Sequence, residues 1–545
     1  MNNLYNLARN GISVAQAAIA VTGDNLTNGM SANYSRRSLI IGELGGMSTA
    51  QGFFGYGARA SGVERAYDAF ANNQLRDSLS GYASFTGRME QLADIDNMLA
   101  DEADNVSVSL GNLFKDMATL SGDPADGPAR AKVFSSLDVL AGRYRDSAKR
   151  LSGLEKSTNT QIERSAKEIN SYTEQLAQIN KQLERLQGNG APPADLLDQR
   201  DALLEGLSEQ LGITVTEDQI SGRVNVTLSD GRPLVSGDTA YKLQTSPSDA
   251  DPNKTIVSYV DANGKASPLD ENAITKGRLG GLFKFRNEDL VVARQDLDQI
   301  AFMMAHRMNE QNREGFTPDG TPGGDLFSLP DIKAIANAKN QGSDALDQIK
   351  VTDFKKVKSE NYDISFDGTD WVVKGADGRT VTVDTSNLGV LKFDGIEITL
   401  PTPSTAQAGD RFVLNPMAGA AEGISRKITS AQEFAAADAT GGEGNNKNLE
   451  KMLEIQNEKL IGDDTLSAAY ASLAGKIGES AREVKSYATS AESDLRTKFD
   501  TKQALSGVNM DEEYINLDMF RQYYNGSAQL LKTATAMFDA LLAIR

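Results

Sequence analysis

The sequence lacks cysteine altogether and has a single histidine and a single tryptophan among its 545 residues. Without cysteine the chain can form neither a disulfide framework nor a thiolate metal site. The lone histidine, His306, has no second histidine or cysteine to share a metal ion, so we interpret it as an ordinary residue on one face of a helix. Disulfide-stapled scaffolds and zinc sites are therefore excluded as organising features.

Positive charge and long apolar runs are also scarce. Lys and Arg total 56 against 75 Asp and Glu, a net charge of -19, which argues against nucleic acid and anionic membranes as partners. No stretch approaches the ~20 apolar residues of a membrane-spanning helix, and the N-terminus lacks the pattern of a cleaved signal peptide. We predict no membrane insertion, in a chain that is either cytosolic or exported without a cleaved signal peptide.

The strongest pattern in the sequence is a heptad repeat at both ends of the chain. Between Met510 and Arg545 the inner positions follow spacings of three and four residues. The same spacings recur in the first helical segment. The predicted interface residues are Leu4, Leu7, Val14 and Val21 in the first segment and Leu517, Phe520, Tyr524, Leu531, Phe538 and Leu541 in the last. We predict that the two ends pair as one coiled coil.

The predicted pair has a thin core because the N-terminal stripe is mostly Ala, Gly and Val. A single pair with so little apolar surface is hard to stabilise. We therefore expect the terminal helices to become stable when several copies of the chain bury one another's surfaces, and we place the contacts between copies on the same set of residues.

Between the ends, periodicity predicts a multidomain, mainly α fold with β inserts. Helical patterns cover about 63–99, 106–120, 128–186, 194–211, 282–312 and 464–505, and period-two patterns cover 213–260 and 362–400, including Thr380–Val383. Residues 42–62 are rich in Gly and indicate an irregular, partly extended loop. The predicted architecture is a terminal coiled coil, a long-helix bundle domain and peripheral antiparallel β domains.

The element order predicts nested domains. The expected bounds are 1–62 with 506–545 for the inner coiled coil and its adjoining loop; 63–212 with 278–330 and 445–505 for the helical bundle; 213–277 for a small β insert; and 331–444 for an outer β domain with a linker.

No catalytic or cofactor pattern is present. Gly277–Gly281 lacks the Lys-Ser/Thr of a phosphate-binding loop and indicates the start of a helix. The loop Asp319–Asp325 has two carboxylates but departs from the spacing of calcium loops. We predict no catalytic residue, no cofactor and no metal, and therefore a protein that is not an enzyme.

Several stretches resemble known sequences. Asn25-Leu-Thr-Asn28 followed by Tyr34-Ser-Arg36, after an Ala-rich helix, resembles the N-terminal signature of the bacterial flagellar axial proteins, the family that builds rod, hook and filament. Ser506–Glu513 and Ala534–Leu542 look like the C-terminal signature of its hook-associated members. Two internal stretches, Gly277–Leu282 and Gly320–Asp325, are also similar to sequences in those members.

The resemblance implies an extracellular structural subunit of the flagellum that leaves the cell through the flagellar type III apparatus. It implies a ring of about a dozen copies that joins the hook to the filament. The implied partners are further copies of the chain, the hook protein, the next hook-associated or filament adaptor protein, and a cytosolic export chaperone on the C-terminal helix. Asn25, Asn28, Tyr34 and Arg36 are expected to shape the turn beyond the first helix.

Two other functions remain open. The chain could be a hook or distal-rod subunit, although the long helical stretch 128–211 argues against one, because those subunits are β-rich outside their termini. It could also be a secreted coiled-coil effector or adhesin, which would function without its terminal helices, whereas a junction subunit would not assemble.

Overall fold

The computed structural model describes residues 2–31, 33–50, 52–101, 105–186, 192–385, 389–440, 442 and 444–543. The helices are α1 (Asn2–Asn28), α2 (Ala69–Leu99), α3 (Val106–Gly122), α4 (Gly127–Leu186), α5 (Ala194–Gln210), α6 (Gly277–Lys284), α7 (Leu290–Arg313), α8 (Ala420–Gly423), α9 (Lys447–Glu454), α10 (Leu466–Ser506) and α11 (Met510–Leu542). A short π-helical segment, Phe285–Asp289, joins α6 to α7.

The strands fall in three regions. Near the N-terminus are β1 (Arg37–Glu43), β2 (Gly46–Thr49), β3 (Gly52–Gly55) and β4 (Ala58–Arg65). The first insert holds β5 (Ile213–Glu217), β6 (Val224–Leu228), β7 (Pro233–Ser236), β8 (Thr239–Ala240), β9 (Lys242–Pro247), β10 (Thr255–Val260) and β11 (Ala266–Pro268). Further along are β12 (Phe327–Ser328), β13 (Ile335–Ala336), β14 (Ile349–Val351), β15 (Tyr362–Phe366), β16 (Trp371–Lys374), β17 (Val390–Phe393), β18 (Ile396–Thr399), β19 (Arg411–Leu414) and β20 (Ser425–Arg426).

All the strand pairs in the described chain are antiparallel and belong to small sheets. The first insert contains the sheets β5-β6-β7-β8 and β11-β10-β9, and the second contains β13-β19-β15-β16 and β14-β18-β17. The predicted fold class, mainly α with β inserts and a long C-terminal helix, is confirmed. In the described ranges no helix combines the length and apolar character needed to cross a membrane.

Helix α4 connects two separate hydrophobic cores. At 60 residues it is about 90 Å long, since each helical residue adds ~1.5 Å. Its first half packs through Val133, Leu137 and Tyr144 into a core shared with other helices and the outer β sheets. Its second half packs through Ile162 and Ile169 against α5, α6 and the first β insert. The helical rod therefore positions both β inserts.

The region between α1 and α2 differs from its prediction. Most of the described residues between 42 and 62 lie in two antiparallel pairings, β1 with β4 and β2 with β3, rather than in an irregular loop. Helix α2 begins at Ala69 instead of near Val63, because the Asp68 carboxylate accepts a hydrogen bond from the Ala71 amide at 2.7 Å and caps the helix there. Thr380–Val383 is likewise not a strand, since only Thr380 forms a bridge, an isolated one with Lys374.

The glycines of Gly277–Gly281 allow two helices to touch. Gly277 begins α6 with a φ of +74°, a left-handed conformation that favours glycine, and the predicted helix start is confirmed. A Cβ atom on Gly281 would lie 2.1 Å from the carbonyl oxygen of Ser84 in α2. Because that neighbour is backbone, it cannot swing away, and the two helices pack closely only with glycine at this position.

We predict that Gly281→Ala destabilises the helical domain by about 1–3 kcal/mol, because the added methyl must push α6 away from α2. Thermal unfolding of the purified protein followed by circular dichroism measures the effect. The matched control is Gly111→Ala in α3, where the added Cβ meets open space. The control should be neutral or slightly stabilising; equal melting temperatures for both variants would contradict the close packing.

The single histidine lies in the first core, between two aromatic rings. The His306 ring centroid is 4.3 Å from that of Phe302 and 5.5 Å from that of Phe354, with the second pair nearly parallel. Burial lowers the pKa of His306 to about 4, helped by Arg313. The imidazole is therefore neutral in the folded protein at pH values where it is charged in an unfolded chain.

We predict that the wild-type protein loses stability relative to His306→Phe as the pH falls from about 6.5 towards 4. The unfolded histidine takes up a proton near its usual pKa of about 6.5, while the folded one does not until about 4, so lower pH favours unfolding. The measurement is the melting-temperature difference between the two proteins across this range. Burial raises the pKa of Asp298 to about 6. Because Asp298 titrates in both proteins, it does not contribute to the difference in melting temperature. A constant difference would contradict the buried neutral state.

Candidate functional site

The two terminal helices pack against each other along their length, in antiparallel orientation. At Gly11 a Cβ atom would meet the Oγ of Ser527 at 2.5 Å, so the helices approach closely at this point. Near the other end Asn25 donates to Glu513 at 3.0 Å. The two contacts are fourteen residues apart on each helix, so α1 and α11 keep one register along the seam.

The seam is lined mainly by small side chains. The buried seam residues are Ala8, Gly11, Val14, Ala15, Ala18 and Thr22 in α1 and Ser527 and Ala534 in α11. Among the described residues, neither of the two main cores includes a side chain of α1 or α11. Small residues allow the backbones to come close, but they bury little apolar surface, so the pair gains little hydrophobic stabilisation of its own.

A buried polar network closes the base of the helix pair. Glu513 is only 2% exposed and accepts hydrogen bonds from Asn25 Nδ2 and from Arg36 Nε, the latter at 2.8 Å. The Asn25 Oδ1 atom accepts from the Tyr34 hydroxyl at 2.9 Å and from the Arg37 amide at 3.0 Å. Burial raises the pKa of Tyr34 to about 12, so its hydroxyl keeps the proton that it donates. The network ties α1, the turn after it and the start of α11 together.

Three of the four residues predicted for the turn meet in this network, and Asn28 does not. The Asn28 amide instead donates to the carbonyl of Asp24, one turn back in its own helix. Glu513 is the partner that the sequence analysis did not single out as a site. Its signal was present, because Glu513 and Asn25 are both polar residues at inner heptad positions of the two helices.

The structure places the ten predicted interface residues in different environments. Val14 is buried within the pair, and Leu4, Val21, Leu517, Phe520, Tyr524 and Leu531 are half-buried. The Leu7 side chain contacts a residue between β3 and β4 instead: a Cβ added to Gly57 would lie 3.0 Å from the Leu7 Cδ1 atom. The side chain of Leu541 lies outside the described part of the chain.

Phe538 is 51% exposed because α11 runs past α1. The antiparallel register sets Gly11 opposite Ser527 and therefore Leu4 opposite Ala534, seven residues further along each helix. Phe538 lies four residues beyond Ala534, past the described end of α1 at Asn2. The last turn of α11 therefore has an apolar side chain on the seam face without a helix opposite it in the described chain.

A second apolar stripe follows α11 along the border of the seam, where the Tyr523 hydroxyl would lie 3.6 Å from a Cβ on Gly11, and the predicted heptad positions do not include it. It consists of Met519, Tyr523, Leu530 and Met537, which follow one another at spacings of four, seven and seven residues and are 42% to 51% exposed. Such spacings keep the side chains on one helix face, about a quarter turn from the seam. A search for a second heptad register would have found it. We call this set the outer stripe.

A charged cluster fastens the strands after α1 to helix α5. Arg37 Nη2 lies 3.3 Å from Asp198, Arg65 Nε lies 3.0 Å from the same carboxylate, and Arg65 also pairs with Asp201. Arg200, fully buried, holds Asp201 at 2.7 Å. These pairs fix the direction in which the terminal domain leaves the helical domain.

The two carboxyls of this cluster respond differently to their surroundings. Burial tends to raise the pKa of Asp201, but the guanidinium groups of Arg200 and Arg65 outweigh it and hold that pKa below its usual range. At Asp198 burial is the larger effect, and its pKa lies above the usual range in spite of Arg65 and Arg37. Asp201 is therefore the carboxylate that most firmly retains its charge.

We predict that Glu513→Gln loosens the base of the helix pair, because Arg36 loses its nearer charged partner and one of the two accepting oxygens becomes an NH2 group that faces a donor. Amide hydrogen exchange in residues 20–37 and 506–520 should become about tenfold faster, the effect of losing ~1.4 kcal/mol of charged hydrogen bonding. The control is Glu512→Gln, whose exposed carboxylate lies 3.5 Å from Arg36 Nη1 and should contribute little. Equal exchange in the two variants would contradict the role of Glu513.

Comparisons with known proteins identify similar chains over the full length. The family model described as "Flagellar hook-associated protein FlgK helical domain" matches residues 92–327, and the one described as "Flagellar hook-associated protein 1, D2-like domain" matches residues 335–416. "Flagellar hook-associated protein 1" of Salmonella typhimurium is 37% identical over 556 residues, and that of Escherichia coli K12 is 36% identical over 551 residues. In both cases 100% of each chain is covered.

One solved structure shares the fold. "The structure of the flagellar hook junction protein FlgK from Burkholderia pseudomallei" aligns with a TM-score of 0.72 and 23% sequence identity, covering 80% of this chain and 100% of that one. At this level of identity the likeness supports the arrangement of helices and sheets alone.

Proposed function

The chain belongs to the flagellar hook-associated protein 1 family and is a structural subunit of the bacterial flagellum at the hook–filament junction; from this premise we propose how its paired termini assemble. The single observation that carries the proposal is the outer stripe of α11, which stays exposed after α11 has paired with α1. An apolar stripe of this length on a helix indicates a surface that another molecule covers.

We propose that this molecule is a neighbouring copy of the chain, in a ring of about a dozen subunits. The seam between α1 and α11 buries mostly Ala, Gly and Ser, so the isolated pair is weakly stabilised. Packing of neighbouring pairs through Met519, Leu530 and the overhanging Phe538 would supply the missing apolar burial. Assembly and the ordering of the termini are then one process.

We also propose that the hook protein contacts one face of this ring and that the next hook-associated or filament adaptor protein contacts the other. In this arrangement residues 1–62 with 506–545 form the inner domain. Residues 63–212 with 278–330 and 445–505 form the helical domain, and 213–277 and 331–444 form the outer β parts. The charged cluster between Arg65 and Asp201 sets the angle between the inner and helical domains.

Before assembly the same stripe needs protection, and we propose that a cytosolic export chaperone covers α11. Met519, Tyr523, Leu530 and Met537 would otherwise favour aggregation of the monomer. We propose export without a cleaved signal peptide, after which the chain lies outside the cell in the flagellum. The absence of cysteine suits this route, since no disulfide has to be opened or formed.

We predict that Leu531→Asp combined with Phe538→Asp blocks incorporation into the junction and leaves the outer domains folded. The two carboxylates would place charge on the terminal helices where apolar contact is needed. In a strain that lacks the wild-type gene, the variant should be exported into the medium while the cells lack filaments, as seen by electron microscopy and immunoblotting.

The matched control is Ile220→Asp, an exposed apolar residue in the loop between β5 and β6. It adds a carboxylate outside the terminal helices and should restore filaments. Normal filaments on cells that carry only the double variant would contradict the assignment of the assembly surface to the termini.

A further inference from the structure

The four strands after α1 expose a dense group of apolar side chains. We call residues 37–50 and 52–65, with β1 paired to β4 and β2 paired to β3, the apolar ribbon. Phe53 is 69% exposed. The other exposed large apolar residues of the ribbon are Ile40, Ile41, Met47, Phe54, Tyr56 and Val63. Because a two-stranded ribbon has no second layer of its own, these side chains remain open to solvent.

The tip of the ribbon has no charge. From Leu44 to Ala58 the sequence contains no Asp, Glu, Lys or Arg, although charged residues make up 24% of the chain. Solvent-exposed strands usually carry charges that prevent unwanted pairing. Depletion of charge together with exposed Phe, Tyr and Met is typical of the centre of a protein interface.

Contacts at its base and side hold the ribbon in place. Arg37 and Arg65, which face each other at the open end of β1 and β4, are both anchored to Asp198. Along its side the Asn10 amide donates to the Tyr56 carbonyl at 3.0 Å. The ribbon therefore lies beside the helix pair in a defined orientation, with its apolar residues presented for binding.

We propose that the apolar ribbon of one copy docks on the outer stripe of α11 in the next copy. The inference rests on the proposed ring. A ring needs a head-to-tail interface, in which every subunit contributes two different complementary surfaces. The outer stripe is one such surface, and it is not covered by the ribbon of its own chain, because its residues stay 42% to 51% exposed. The ribbon supplies the other surface.

The two surfaces match in length and chemistry. The stripe extends from Met519 to Met537, about 27 Å along a helix. The longest strand of the ribbon, β4, has eight residues and extends about 26 Å at ~3.3 Å per residue. Phe53 would lie against methionine side chains, which adapt to irregular gaps and contact aromatic rings favourably. Within each copy the two surfaces flank helix α1. The contact between copies therefore continues the packing of the terminal pair.

The absence of native cysteine allows a direct test by disulfide cross-linking, because every thiol would be an engineered one. Phe53→Cys is combined in turn with Met519→Cys, Leu530→Cys and Met537→Cys, and flagella are isolated from cells that express each double variant as their only copy. After mild oxidation, non-reducing gels and immunoblots show whether the chain runs as monomer or as multimers. The controls are each single variant and Phe53→Cys combined with Ile220→Cys.

We expect at least one double variant to give a ladder of multimers that collapses to monomer on reduction, while the controls stay monomeric. Monomer in all three double variants, in flagella shown to contain the chain, would overturn the ribbon contact and leave the proposed ring intact. A disulfide-linked dimer from Phe53→Cys alone would also overturn it, since it would place ribbon against ribbon. Absence of the wild-type chain from isolated flagella would instead contradict the proposed function itself.

Discussion

One partner helix cannot bury both apolar stripes of a helix, and this constraint governs the terminal part of the molecule. Helix α11 uses its seam face to pack on α1 and leaves Met519, Tyr523, Leu530 and Met537 about half exposed. The fully buried part of the seam is built mainly from small residues, and its larger side chains are only half-buried, so the pair stays weakly stabilised until further surface is buried. A chain with such ends has an energetic reason to assemble rather than to remain a monomer.

The rest of the chain is built to hold those ends in position. The network around Glu513 fixes the base of the helix pair, and the arginines that reach Asp198 and Asp201 fix the strands that follow it to α5. Beyond these contacts, α4 links two large apolar cores and positions the β inserts. The two large apolar cores therefore lie outside the terminal helices, and we propose that the capacity to associate resides in the termini.

Much of this could be predicted from the sequence, because helices of this length leave a strong periodic signal. The predicted bounds of α4, α10 and α11 lie within a few residues of the observed ones, because long helical patterns are separated by Gly- or Asn-containing stretches. The ribbon could not be predicted in the same way. Its strands are short, rich in glycine and apolar on both faces, and the bulge between Ile40 and Ile41 breaks the alternation that identifies a strand.

The sequence by itself determined the fold class, the pairing of the two ends and the family, since each depends on patterns that are local or that repeat along the chain. Tertiary structure alone decided which residues carry the site. It brought Glu513 to Asn25 and Arg36 across 488 and 477 positions of sequence, moved Leu7 to the ribbon, and left Phe538 beyond α1. The reason is physical. Periodicity predicts which face of a helix carries the apolar side chains, but the partner of each side chain depends on the register and length of the element packed against that face.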